Sequence, residues 1–261
     1  MKVRLISALA ALVLAAGCTT PDNPAVGTSP AAAGRQLSGS ATVFAAASLT
    51  ESFQEIGELF SDQNPSAEIV FNFGASSGLA TQIAEQGGAD VFASADQANM
   101  KKITDQDLTE GDPQVFVRNR LQIIVSPGNP KEIRSLADLA KPDLKVVLAA
   151  PEVPAGRYGK QALDKAGVTV NPVSQAVDVK GVVVPVTLGE ADAGIVYASD
   201  VKAAGNKAEG VSIPEESNVT PEYPIALVKG APNAQVGRAF IDLVLSDEGQ
   251  EILIDNGFIA P

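Results

Sequence analysis

Apolar positions along this chain switch between a period of two and a period of three to four, and the switches lay out a series of strands and helices. Ala41 to Ala46 (A-T-V-F-A-A) reads as a buried strand. Ser48-Leu49-Thr50-Glu51 has the spacing of a capping box, so Ser48 is expected to cap a helix that runs to Asp62, with Phe53, Ile56, Leu59 and Phe60 on its apolar face. Glu68 to Phe73 alternates as a strand, Ser76 or Ser77 opens a helix through Gln86, and Ala89 to Ala93 is a third strand. Strand, helix, strand, helix, strand with short connections is the pattern of a parallel α/β sheet.

A long extended stretch follows, Val115 to Ser126, interrupted in character at Arg118-Asn119-Arg120. The alternation then repeats: strand Lys145 to Ala149, helix Ala155 to Ala166 opened by Pro154, helix Lys180 to Leu188, and strands Ala193 to Val196 and Gly210 to Ile213. Tyr223 to Lys229 is extended again, and two helical patterns, Asn233 to Leu245 and Asp247 to Asn256, close the chain. The two extended stretches read as crossovers between two α/β lobes. The first lobe is expected from residues 39–119 and 225–261, and the second from 120–224. Such an architecture leaves a cleft at the carboxyl ends of the strands, where open parallel sheets bind ligands.

The amino end has a different pattern. Lys2 and Arg4 precede an apolar stretch from Leu5 to Ala16, then Gly17-Cys18. Twelve residues fall short of the roughly 20 a spanning helix needs, so residues 1–17 read as an export signal and not a membrane span. Leu14-Ala15-Ala16-Gly17-Cys18 resembles the lipobox of bacterial lipoproteins, which implies that Cys18 becomes the lipid-carrying first residue of the mature chain. Residues 18–38, rich in Pro, Gly, Ala, Ser and Thr and without apolar periodicity, are expected to be a disordered tether. With one cysteine in the sequence, no disulfide forms within the chain.

Charge and composition narrow the function. The formal net charge is −12, and −14 once Lys2 and Arg4 are removed with the signal, so nucleic acid and anionic membrane surfaces are excluded as partners. The sequence has no histidine, the commonest general base and metal ligand. Neither S-x-x-K at Ser199 to Lys202 nor Gly159-Lys160 has the companion residues that β-lactamase or phosphate-loop chemistry needs. No enzyme activity is therefore expected, no cofactor and no metal centre. What the chain does offer is a set of helix starts at Ser48, Ser76, Ala155 and Val179, each with unpaired backbone N–H groups and positive dipole character. Such ends bind anions. Taken alone, Ser48 and Ser76 read first as plain helix caps, which is what Ser before a helical pattern usually is, and Tyr197 as a half-buried core aromatic.

Six motifs in order decide between these readings: V-F-A-A-A-S-L-T (Val43 to Thr50), A-D-V-F-A-S-A-D (Ala89 to Asp96), V-P-A-G (Val153 to Gly156), A-D-A-G-I-V-Y (Ala191 to Tyr197), E-Y-P-I-A (Glu222 to Ala226) and N-G-F (Asn256 to Phe258). Together they resemble the periplasmic molybdate-binding proteins of bacterial ABC transporters, over essentially all of Ser40 to Pro261. The resemblance implies a two-lobed class II periplasmic-binding-protein fold, each lobe a mainly parallel sheet flanked by helices, the two joined by crossover strands. It implies a monomeric, lipid-anchored, extracytoplasmic receptor that captures molybdate or tungstate and delivers it to the permease of an ABC importer. By the same resemblance, Ser48 and Ser76 would each give a hydroxyl and a backbone N–H, Ala155 and Val179 backbone N–H groups, and Tyr197 its phenol. Donors alone suit an oxyanion that is fully deprotonated near neutral pH, which leaves sulfate as the alternative ligand. Phosphate keeps a proton and needs an acceptor.

Overall fold

The computed structural model describes residues 37–261; the expected signal, Cys18 and all but the last two residues of the expected tether lie outside the described residues. The first lobe opens with β1 (Gly39–Ala46), α1 (Thr50–Gln63), β2 (Ala67–Gly74), α2 (Ser76–Gln86), β3 (Val91–Ala93), α3 (Gln97–Thr104) and β4 (Thr109–Arg118). The second holds β5 (Leu121–Val125), β6 (Val146–Ala149), α4 (Pro154–Lys165), β7 (Ser174–Ala176), α5 (Lys180–Thr187), β8 (Ala193–Tyr197), α6 (Ala198–Ala204) and β9 (Glu209–Ser212). The chain then returns to the first lobe through β10 (Glu222–Val228), α7 (Ala234–Leu245) and α8 (Asp247–Asp255).

Each lobe is built on a five-stranded sheet, ordered β2-β1-β3-β10-β4 in one and β7-β6-β8-β5-β9 in the other. In both, three parallel strands meet one reversed strand, β10 or β5, with a fifth strand beyond it. The same winding order puts the carboxyl ends of β1 and β2 in one lobe, and of β6, β7 and β8 in the other, beside the helix starts that follow them. Between lobes the first crossing is short, Asn119-Arg120 between β4 and β5. The return differs from the expected extended strand. It runs through the irregular segment 213–221, and β10 lies wholly in the first sheet, so Glu222 to Pro224 pair with β4 there. The Asn218 side chain ties the crossings together: its Oδ1 accepts from Leu121 N–H and its Nδ2 donates to Leu121 carbonyl, each at 3.0 Å.

The two cores differ in kind. All nine phenylalanines of the chain fall in the first lobe, where Phe53, Phe71, Phe116 and Phe240 meet edge to face or tilted at 5.5–6.2 Å between centroids. The second lobe is filled by Val, Ile, Leu and Ala around Ile123, Val147, Val182 and Ile195.

The expected capping box at Ser48 is not formed. Ala47–Leu49 is a 3-10 turn, α1 begins at Thr50, and its N-cap position, Leu49, has no side-chain cap. Ser48 is turned inward instead, to a partner 175 residues away in sequence. Ser76 is likewise no cap, because Ala75 holds that position and Ser76 is the first residue of α2.

Candidate functional site

Sheet register brings the two serines together. β1 and β2 run parallel with Ala46 opposite Gly74, so Ser48 and Ser76, each two residues further on, leave neighbouring strands at the same end. In the second lobe Ala149 of β6 pairs with Ala176 of β7; Val179 follows β7, and Ala155 follows β6 through the turn that Pro154 ends by starting α4. Tyr197 is the last residue of β8 and stands at the N-cap of α6. Ser48, Ser76, Ala155, Val179 and Tyr197 line one cavity between the lobes, and none is more than 4% exposed. Its volume is about 10 Å³ as swept by the centre of a water-sized sphere, and about 210 Å³ with its open mouth included. The enclosed part has room for about one water-sized group, and the whole lies below the roughly 300–1,000 Å³ of organic-ligand pockets. A larger gap of about 250 Å³ lies on the far side of α4, but its walls are chiefly apolar side chains such as Leu148, Leu163, Val170 and Ile195.

The hydroxyls at the cavity are each left with a proton to donate. Ser76 Oγ accepts from Ala95 N–H at 2.9 Å, which leaves its own O–H for another acceptor. Ser48 Oγ lies 3.0 Å from Tyr223 Oη; with the phenol as donor, the serine hydroxyl is free to point into the cavity. Tyr223 is fully buried on β10, and it was within reach of sequence reasoning only as the second residue of E-Y-P-I-A, not as a site residue. The Tyr197 phenol oxygen is buried without a hydrogen bond of acceptable geometry, although its ring meets that of Tyr223 edge to face at 5.9 Å. The one carboxylate at the cavity wall, Asp178, is turned to the start of α5, where its Oδ1 accepts from Gly181 N–H at 2.9 Å. To these side chains the first turns of α2, α4 and α5 add backbone N–H groups that have no partner within the helix, at the positive end of each dipole.

Apart from Asp178, charge is kept one step back from the cavity. Burial, followed by the neighbouring tyrosines and Asp200, pushes the Tyr197 phenol well above its ordinary pKa, so it stays a neutral donor. Asp200, fully buried, accepts from Tyr197 N–H at 3.1 Å; desolvation raises its pKa from 3.8 to about 6 against the opposing pull of Lys180. Burial alone would lower the Lys180 ammonium, but Asp200 and Glu51 outweigh it and hold it above its ordinary value. Arg157 is spent on the buried Asp96. Among the described residues, no group of three or more His, Cys, Asp or Glu converges as a metal site. The arrangement can therefore grip an acceptor-only ion with neutral N–H and O–H groups and nothing else.

Proteins of known kind share this architecture. Molybdate-binding protein ModA of Mycobacterium tuberculosis is 39% identical over 259 residues, 99% of each chain. The periplasmic molybdate-binding protein of Azotobacter vinelandii superposes with a TM-score of 0.74 at 20% identity, covering 85% of this chain and 99% of that one. The sulfate-binding protein SubI of M. tuberculosis gives a TM-score of 0.73 at 19% identity over 84% and 86%. At those identities the two structures speak for the fold alone, and one fold carries both names. Residues 41–259 match the family described as bacterial extracellular solute-binding protein. With that match over nearly all of the described residues, and a relative of 39% identity spanning the full length, the chain belongs to the bacterial extracellular solute-binding protein family.

Proposed function

We propose that the protein is a receptor for molybdate and tungstate, which it captures outside the cytoplasm and delivers to the membrane permease of an ABC importer. The observation that carries this reading is the small cavity between the lobes, lined by Ser48, Ser76, Ala155, Val179 and Tyr197, whose side-chain donors are all neutral hydroxyls. The name borne by the M. tuberculosis relative supports molybdate over sulfate. Charge-assisted hydrogen bonds contribute about 1.5–3 kcal/mol each. Five to seven of them supply roughly 8–20 kcal/mol against several for association, so micromolar or tighter binding, about −8 kcal/mol or better, follows. The protein binds and releases its ion without chemistry, as a monomer. Cys18 carries the lipid that keeps it at the membrane, and more than one acyl chain is needed for lasting attachment.

Calorimetric titration against molybdate, tungstate, sulfate and phosphate tests the reading. Micromolar or tighter affinity is expected for the first two, weaker for sulfate, with phosphate silent. Failure of both molybdate and tungstate to bind would overturn it, and sulfate as the tightest ligand would replace it with the alternative. For the anchor, Cys18→Ser is expected to release the protein from membranes into the soluble fraction.

A further inference from the structure

Arg157 and Lys180 lie two residues and one residue past Ala155 and Val179, close enough in sequence to be taken for ligands of an anion. Neither lines the cavity. Each instead reaches across it to a carboxylate of the other lobe. Lys180, at the start of α5, pairs with Glu51 in the first turn of α1, its Nζ 2.9 and 2.7 Å from the two carboxylate oxygens. Arg157, in the first turn of α4, meets Asp96, whose side chain is fully buried.

Both pairs are also tied to cavity residues. Asp96 follows Ala95, whose N–H holds Ser76 Oγ, and it is fixed as the N-cap of α3 by Asn99 N–H at 2.7 Å. Lys180 lies 3.3 Å from Asp200, the carboxylate that accepts from Tyr197 N–H. The two ion pairs thus flank the cavity, and in each a cation of the second lobe is matched to an anion of the first.

We infer that Lys180 and Arg157 are positioning residues that latch the closed lobes to Glu51 and Asp96, and so set how fast the ion escapes without touching it. The inference rests on the oxyanion-receptor reading above. Opening the cleft must part both pairs, so their strength enters the barrier to release and leaves capture by the open form largely alone. Lys180 keeps its proton across neutral pH, because its two carboxylates raise it.

Glu51→Gln separates a latch from simple electrostatics, since the two predict opposite signs. Removing a negative charge near an anion site tightens binding if only the field matters. Losing a latch loosens it. The sequence has no tryptophan, so tyrosine fluorescence from Tyr197 and Tyr223 reports binding, and stopped-flow mixing with molybdate gives both rates. For Glu51→Gln, release about two- to fivefold faster with capture unchanged is expected, the scale of a partly exposed ion pair. Glu58→Gln, an exposed carboxylate two turns along α1, should show no faster release. Arg157→Gln should speed release more, and thermal melting checks that it folds despite leaving Asp96 unpaired. Added sodium chloride should speed release from the unmodified protein more than from Glu51→Gln. Release from Glu51→Gln no faster than from Glu58→Gln, or tighter binding in it, overturns the latch. Absence of molybdate binding in the unmodified protein is a different result, and overturns the receptor reading together with the latch built on it.

Discussion

The two lobes contribute to the cavity by different means. In the first, the donors Ser48 and Ser76 sit on side chains already braced by the fold, one against Tyr223 and the other by Ala95 N–H. In the second, Ala155 and Val179 offer only backbone, and the single side-chain donor, Tyr197, is buried with its oxygen unpaired. A braced hydroxyl serves structure and ligand at once. An unpaired buried phenol is a cost to the protein alone, of about 1–3 kcal/mol, that a bound acceptor relieves. On the receptor reading proposed above, the first lobe is thus prepared for an ion by satisfied bonds and a phenylalanine core, while the second keeps one unmet donor for it.

The largest expected effect strikes the backbone half of that comparison. A Cβ on Gly156 would run into the carbonyl oxygens of Ala149 and Ala150, so Gly156→Ala must push the start of α4 off β6 and take the Ala155 N–H with it. Loss of that charge-assisted bond, at the upper end of about 1.5–3 kcal/mol, weakens molybdate binding by about a hundredfold, and the overpacking costs about 1–3 kcal/mol of stability. Calorimetry and denaturant unfolding measure the two. Unchanged affinity would mean that the second lobe's backbone is not a donor.

Tyr197→Phe comes next, and here affinity and stability should part company. Binding weakens about ten- to a hundredfold, while the ion-free protein keeps its stability or gains up to about 1 kcal/mol, because the orphaned hydroxyl is gone. Ser76→Ala should weaken binding about tenfold and also destabilise the ion-free protein by about 1–3 kcal/mol, since Ala95 N–H loses its acceptor. Equal stability changes in the two variants would erase the contrast between braced and unbraced donors.

The alternation of strands and helices, and the helix start at Pro154, were legible because period and capping chemistry are local. Of the cavity-lining residues, Ser48, Ala155 and Tyr197 lie within the six motifs, while Ser76 and Val179 lie outside them and stood out only as helix starts. Ser48 shows where local reasoning stops. Ser48-Leu49-Thr50-Glu51 has the capping-box spacing, yet Ser48 goes to Tyr223 and Glu51 to Lys180, both far along the chain, and these long-range partners outcompete the box. Two short helices, α3 and α6, carry too few large apolar residues for a period to register, Met100 and Ile103 in one and Val201 in the other, whereas α5, no longer than α3, shows its valines; Asp96 and Asp200 nonetheless mark the starts of the two. The return crossing was misplaced for a related reason. Glu222 to Val228 is extended and apolar in either lobe, and only its pairing with β3 and β4 assigns it.

The smallest effect concerns pH, and it belongs to the second lobe. Asp200 lies beneath Tyr197 with Lys180 facing it and Glu51 beyond, and burial lifts its carboxyl from 3.8 to about 6. A carboxyl raised on folding binds its proton more tightly in the folded state. Between pH 7 and pH 5 the unfolded chain keeps this group ionised while the folded protein takes up the proton, so stability from this group rises on acidification and falls as pH climbs back through about 6. The gain at pH 5 relative to pH 7 is about 1 kcal/mol. Asp200→Asn removes the titration and keeps the shape. Urea unfolding of the ion-free protein and of this variant at both pH values isolates the group, because every other carboxylate is common to the two. The variant should lack the gain on acidification. The same change with pH in both proteins would show that Asp200 does not titrate between pH 5 and pH 7, and would remove burial beneath Tyr197 as a source of acid stabilisation in that interval.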